Sequence, residues 1–341
     1  SMSNQTMQIL KNANSQEEKK YNILTFDTHE RYQTQLCKTG HNFYSFRYDG
    51  CKEWDESYAK MPENYYVLPK NAIIGGVGFD MILSQSKFGQ FQAASQIQQV
   101  LQVPIVSLEH TLPIQGWPKD QLDTFKNMMG QSNVFISDYS VSEWGMNCDS
   151  TVIHHSVDTE TFKPKDGLDY IKNVDILSVV NEFPQRDYCC NFSGWQRIVS
   201  KFPFQIVDVV GKDSEQIPNV KGGVAENLDD LVNRYNACQI FLNTSTVSPV
   251  PTSLLEAMSC GCAVVSTATC MIPEIIQNGV NGFISNDEDE IKKYIQKLLV
   301  DKELADRLGK AARETIIEKF SEEKFINKWN ETFNKLHGAK K

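Results

Sequence analysis

Between residues 245 and 283 the chain reads STVSPVPTSLLEAMSCGCAVVSTATCMIPEIIQNGVNGF. Thr252, Ser253 and Leu254 open a helix in this stretch, and backbone N–H groups at a helix start form a ready site for a diphosphate. Glu256 follows within the first turn, and the two acceptor oxygens of a carboxylate suit a vicinal diol. The Ser-x-x-Glu spacing of Ser253 and Glu256 also describes a capping box, in which the pair would serve only the helix's own donors. Arg186, in LSVVNEFPQRDYCCNFSGW, can grip phosphate oxygens bidentately and stabilise a leaving group, or it can be a solvated loop cation. Gly211 closes the strand FQIVDVVG, where glycine permits either a close backbone approach to a ligand or a turn. His110, ending VPIVSLEH, is a hydrogen-bonding group for a polar substrate at neutral pH or a structural histidine.

The elements that must position these residues alternate regularly. YNILTF reads as a buried strand, HERYQTQLCKTG as a helix capped by Gly40, and HNFYSF as the next strand. Asp49 to Asn71 reads as partly loop. FDMILSQS, VPIVSLEH and NVFISDYS follow as strands, separated by the helices FGQFQAASQIQQVLQ and PKDQLDTFKNMMGQS. This βαβ rhythm predicts an α/β fold with parallel sheets covered on both faces. Pro164 and Gly167 break the rhythm and mark a linker. A second set of units runs from VDILSVV to GFIS, and the remainder from about Asp287 is helical and charged. The expected organisation is a polar tail over 1–20, Rossmann-like domains over 21–165 and 170–316 facing a cleft, and a C-terminal helix over 317–337. Ligands of such sheets sit beyond the carboxyl ends of the strands, here in the cleft between domains. GGVG at Gly75 to Gly78 precedes a strand instead of following one, so it is not a dinucleotide fingerprint.

Length and composition narrow the class. A chain of 341 residues suits two domains. No apolar run approaches the roughly 18 residues needed to span a membrane. The polar N-terminal residues lack the order of a signal peptide, so a cytoplasmic location is expected. Nine cysteines contain no CxxC pair, which predicts reduced, buried thiols and no structural metal. A formal charge of -9 opposes a broad basic face for nucleic acid, though not a local basic groove.

Glu256, Ala257, Met258 and Gly261, with Pro273, Glu274, Gly279, Asn281 and Gly282, resemble the donor-site signature of the family-four retaining glycosyltransferases, the glycosyl transferases group 1. The resemblance continues more weakly from about Leu83 to Phe333. It implies the GT-B architecture and a nucleoside-diphosphate sugar, UDP-linked, as donor substrate, with no separate cofactor and no obligatory metal. It further implies that Glu256 binds the ribose hydroxyls, that the N–H groups at Thr252, Ser253 and Leu254 and the cation of Arg186 hold the diphosphate, that Gly211 lies against the nucleotide, and that His110 faces the cleft near the transferred sugar. Front-face attack follows, with a donor phosphate oxygen taking the acceptor's proton.

Three departures from the family pattern stand out. Ser248 replaces a glutamate that contacts the sugar or its phosphate. Asn181 replaces the first of two diphosphate-binding cations, Arg186 standing at the second. Thr28, His29, Glu30 and Arg31 replace a glycine-rich loop lining the acceptor site. They imply a distinct acceptor: a saccharide, a lipid or a small molecule, or hydroxymethylated DNA if the chain is a phage enzyme acting on 5-hydroxymethylcytosine. Arg31, Lys38, Arg47, Lys52 and Lys60 would be the cations for DNA, diluted by acidic neighbours. A nucleotide-sugar epimerase and a non-catalytic nucleotide-sugar-binding protein are the other readings. His154 and His155, before the linker, read as hinge structure.

Overall fold

The structure, a computed structural model, describes residues 5–7, 19–72, 78–166 and 171–339. Gly75 and Gly76 of the GGVG run, and Gly167 of the linker, lie outside the described residues.

Twelve strands form two sheets. The first comprises β1 (Asn22–Thr25), β2 (Asn42–Ser45), β3 (Tyr65–Val67), β4 (Met81–Ser84), β5 (Ile105–Glu109), β6 (Ser132–Phe135) and β7 (Thr151–Val152), in the order β3-β2-β1-β4-β5-β6-β7. The second comprises β8 (Val174–Val179), β9 (Val207–Val210), β10 (Cys238–Asn243), β11 (Ala263–Ser266) and β12 (Phe283–Ile284), in the order β12-β11-β10-β8-β9. Every pairing is parallel. The continuous apolar runs explain this. Every residue of β4, β5 and β11 is buried, as a parallel sheet covered by helices on both faces requires. Strand order reverses between β1 and β4 in the first sheet and between β8 and β10 in the second, and these are the points where ligands enter such folds.

The structure revises four expectations. NVFISDYS is a strand only to Phe135; Ser137 then accepts from Ser140 N at 2.9 Å and starts a helix over Asp138–Trp144. A serine followed by a polar first turn is a cap signal that overrides the apolar run before it. The stretch from Asp49 to Asn71 contains β3, and Thr151–Val152 adds an edge strand. The C-terminal helix is also no appendage. The helix Lys302–Lys319 belongs to the second domain through Ala312 and Ile316, but the next helix, Glu322–Ala339, returns to the first. Its Phe325, Trp329, Phe333 and Leu336 pack against Tyr32, Leu36 and Phe43. Trp329 Nε1 donates to Tyr32 Oη at 3.1 Å, and Tyr21 Oη donates to Asn334 Oδ1 at 2.6 Å.

The chain thus crosses between domains twice, and the two crossings are bonded to each other, Val157 N donating to Phe320 O at 2.8 Å. His154 packs beside this joint against Phe320, with ring centroids 5.0 Å apart and the rings tilted. A second contact spans the domains. Glu274 accepts from Asp138 N at 2.8 Å and from Tyr139 N at 2.7 Å, so a carboxylate of the second domain caps a helix of the first.

Trp329 is fully buried far along the sequence from the sheet it supports. Trp329→Ala is expected to cost about 3–5 kcal/mol in urea unfolding. A change within experimental error would mean the helix does not complete the first domain's core.

Candidate active site between the domains

A cleft of about 1010 Å³ opens at the carboxyl ends of the second sheet, closed on its far side by Arg31, Thr34 and Gln35 of the first domain. Arg186, Gly211, Ser248, Thr252, Ser253 and Glu256 all line it, so one wall collects residues spread over 71 positions, from 186 to 256.

The helix Thr252–Ser259 is the centre of that wall. Pro251 occupies its N-cap and no side chain bonds its first N–H groups. Ser253 is therefore the second helical residue and cannot be the cap, and the capping-box reading falls. Leu255 N makes the first helical bond, to Pro251 O at 3.1 Å, which leaves the N–H groups of Ser253 and Leu254 ahead of the ladder. Leu254 enters the site only through its backbone, since its side chain is buried in the core with Leu255 and Met258. That packing fixes the direction in which the helix end points.

Glu256 turns away from its own helix start. Tyr235 Oη donates to its Oε1 at 3.1 Å. Burial pushes the Glu256 carboxyl up to about 7, against the opposing pull of the Tyr235 hydrogen bond and of the Arg31 guanidinium across the cleft. A half-buried acid whose carboxyl is shifted in this way, in a cleft, is a mark of a functional position.

Arg186 sits on a single 3-10 turn, Pro184–Arg186, after β8. Its Nη1 reaches Asn181 O at 3.5 Å, and among the described residues no carboxylate pairs with it. It is thus a free cation on the cleft wall. Asn181 is tied down instead, its Oδ1 accepting from Lys212 N at 2.9 Å. Gly211 has a φ of 151°, and a Cβ there would lie 2.0 Å from Val180 O. The β8–β9 contact alone demands glycine, whether or not a nucleotide lies against it.

The first domain's candidates divide. Arg31 lines the cleft, with Nε donating to Tyr58 O at 3.4 Å. Glu30 is buried and paired with Lys52, and it accepts from Asp55 N at 3.3 Å, so it anchors a loop. Thr28 accepts from Gln90 Nε2 at 2.6 Å. His110 does not line the cleft. It is 7% exposed, beneath His29 with ring centroids 4.2 Å apart, and 3.3 Å from Gln85 Oε1. Burial, with His29 and His155 beside it, holds it well below the ordinary imidazole range and therefore neutral. His29, which packs against it, is exposed.

Two residues that sequence reasoning passed over organise the site. Tyr235 supports Glu256. Asp27, at the end of β1, is buried and accepts from Ser45 Oγ at 2.7 Å, Arg47 Nε at 2.8 Å and Trp54 N at 3.1 Å, and also from Tyr65 Oη. It fastens the Arg47–Trp54 loop beside the cleft. An aspartate directly after an apolar strand was the available signal.

The fold and the cleft together define a GT-B glycosyltransferase architecture. It superposes on Anabaena HepE, solved with UDP and glucose, with a TM-score of 0.72 and 17% identity over 92% of this chain and 100% of that one. It also superposes on the sucrose-phosphate synthase of Thermosynechococcus elongatus, with a TM-score of 0.75 and 14% identity over 94% and 100%. Within that class, residues 218–315 match the family of glycosyl transferases group 1. An uncharacterized glycosyltransferase of Haemophilus influenzae is 26% identical over 50% of this chain and 51% of its own length. The N-acetyl-alpha-D-glucosaminyl L-malate synthase of Bacillus anthracis is 37% identical over 22% of this chain and 20% of its own. The matches therefore span about half or less of these relatives' length.

The Glu256 environment has a measurable consequence without any ligand. Its folded-state pKa, about 7, lies above the unfolded value, so the folded state binds more protons between the two. Its contribution favours folding at low pH and is lost as pH rises from about 4.5 to about 7. Glu256→Gln should melt higher than the wild type at pH 8 and at the same temperature near pH 4.5. Equal melting temperatures at pH 8 would show that the carboxylate is not held against its solvation.

Proposed function

We propose that this protein is a retaining glycosyltransferase that moves a hexosyl or pentosyl group from a UDP-linked sugar to a hydroxyl acceptor. The observation that carries the reading is the single cleft wall on which an uncapped helix N-terminus, a guanidinium without a carboxylate partner and a half-buried carboxylate converge. Those are the groups needed for a diphosphate flanked by a ribose diol. The HepE structures with UDP and with UDP-glucose support UDP as the nucleotide.

In the proposed step the bond between the anomeric carbon and the β-phosphate oxygen breaks, and its electron pair leaves with UDP. The acceptor oxygen bonds to the anomeric carbon on the same face, and its proton passes to the departing phosphate oxygen. Atoms and charge balance without a protein nucleophile. Negative charge grows on the β-phosphate as the bond breaks, so groups aimed there lower the barrier more than they tighten ground-state binding. Arg186 and the N–H groups of Ser253 and Leu254 fill that role. Closure of the two domains would exclude water and suppress hydrolysis of the donor.

A panel of nucleotide sugars, screened by thermal shift and then by UDP release with candidate acceptors, tests the reading. Absence of both a shift and release with every donor would refute it. Arg186→Ala is expected to lower kcat about 100-fold with a smaller change in KM. A change in KM alone would make Arg186 a binding residue. Activity should survive EDTA, because cationic side chains and helix N–H groups neutralise the diphosphate. Loss that a divalent ion restores would contradict that account.

A further inference from the structure

The cleft lining carries four charged residues, Arg31 from the first domain, Asp158 from the crossing segment, and Arg186 and Glu256 from the second domain. The two acids are committed. Glu256 is bonded to Tyr235. Asp158 accepts from Thr161 Oγ1 at 2.7 Å and from the N–H groups of Glu160 and Thr161 at 3.2 and 3.1 Å. The two cations are not. Arg186 reaches Asn181 O at 3.5 Å with Cys189 and Tyr188 beside it, and Arg31 donates to Tyr58 O at 3.4 Å. Neither makes an ion pair among the described residues. Arg31 already attracts the Glu256 carboxylate across the cleft, and two guanidinium groups facing one cavity set up a positive field that draws an anion between the walls.

The surroundings of Arg31 preserve its charge for the cleft. Glu30, its chain neighbour, is buried and neutralised by Lys52, which also donates to Thr28 O at 3.2 Å. The acid is therefore turned into the loop and does not quench the guanidinium. Arg31 lies in the first turn of the helix Glu30–Cys37, whose N-cap, His29, makes no side-chain cap bond. The positive end of that helix adds to the same field.

Resting on the reading above, we infer that Arg31 is a second diphosphate-binding residue, reaching from the acceptor-side domain to the donor, so that the phosphates are gripped from both walls of the cleft. A diphosphate ester carries about two negative charges, and the second domain's wall offers one cation, Arg186, since Asn181 is neutral and tied to Lys212 N. Arg31 supplies the missing charge. Donor binding then draws the two domains together, because the anion bridges them. This assigns Arg31 to the donor and not to acceptor recognition. The role is positioning and charge neutralisation, and it separates from a structural role by its dependence on phosphate.

Calorimetric titration of the whole chain with uridine, UMP and UDP, with the guanosine and adenosine series in parallel, tests the inference. For the nucleoside series that binds, Arg31→Gln should weaken the diphosphate about tenfold and leave the nucleoside unchanged, while Arg31→Lys recovers part of the loss. Arg31 is exposed and makes one long bond, so the variants should fold, which circular dichroism melts verify. An unchanged affinity for the diphosphate in Arg31→Gln would overturn the inference while leaving the nucleotide-site reading intact. Equal weakening of nucleoside and diphosphate would overturn it too, by showing a general distortion of the cleft. If the wild type binds no nucleotide of any series, the proposed function fails and the inference falls with it.

Discussion

The parallel arrangement of both sheets is the constraint from which the site follows. In a parallel βαβ unit every strand ends on the same edge and every following helix begins there. Two such edges face each other across one cleft, so the positive ends of helices gather where the fold is open. The second domain exploits this with the helix Thr252–Ser259. Its start is left without a side-chain cap, and its buried leucines hold the end in place. An uncapped helix end in a core would be a defect. At the carboxyl edge of a parallel sheet it is a place for an anion.

How far the cleft can open is set by a small number of joints. The two chain crossings are bonded at Val157 and Phe320, and the last helix is sunk in the first domain's core. Relative motion must therefore turn on the short segments beside those residues. Glu274 opposes free motion. Its carboxylate holds two N–H groups of the helix Asp138–Trp144, and those hydrogen bonds, with His154 3.9 Å away, keep it below the usual carboxylate range. A contact of this kind survives small rotations about itself and breaks on translation.

Much of this was legible from residue order. The longer strands of both sheets, β1, β2, β4 to β6 and β8 to β11, are four to six residues long and follow from apolar runs separated by helical periodicity. Glu256, Arg186 and Ser253 were legible as a group because their types match one ligand's charges and hydroxyls. What escaped was set by tertiary placement. Helix Glu322–Ala339 has the same amphipathic pattern whether it covers one domain or the other. His110 ends a central strand, as a cleft-facing residue would, but His29 lies across it. Gly211 illustrates an ambiguity that only coordinates resolve, since a 2.0 Å approach to Val180 O accounts for it without a ligand.

The two departures from the family pattern in the donor wall look like independent losses, yet their charges cancel. Asn181 stands where the resemblance places a cation, and Ser248 where it places an anion. Removing either one alone would change the wall's net charge by one unit, whereas removing both preserves it. The wall's net charge is preserved, but under the proposed function it keeps one cation for the diphosphate and loses a separated pair of charges that would orient polar groups on the sugar. What then remains for discriminating the sugar is hydrogen bonding from Ser248 and shape, which are less demanding than a fixed carboxylate. The carboxylate that was kept, Glu256, is half-buried and held by Tyr235 Oη at 3.1 Å. Under the proposed function, the fixed charge in the donor wall thus lies at the nucleotide end, and the sugar end offers a hydroxyl in its place.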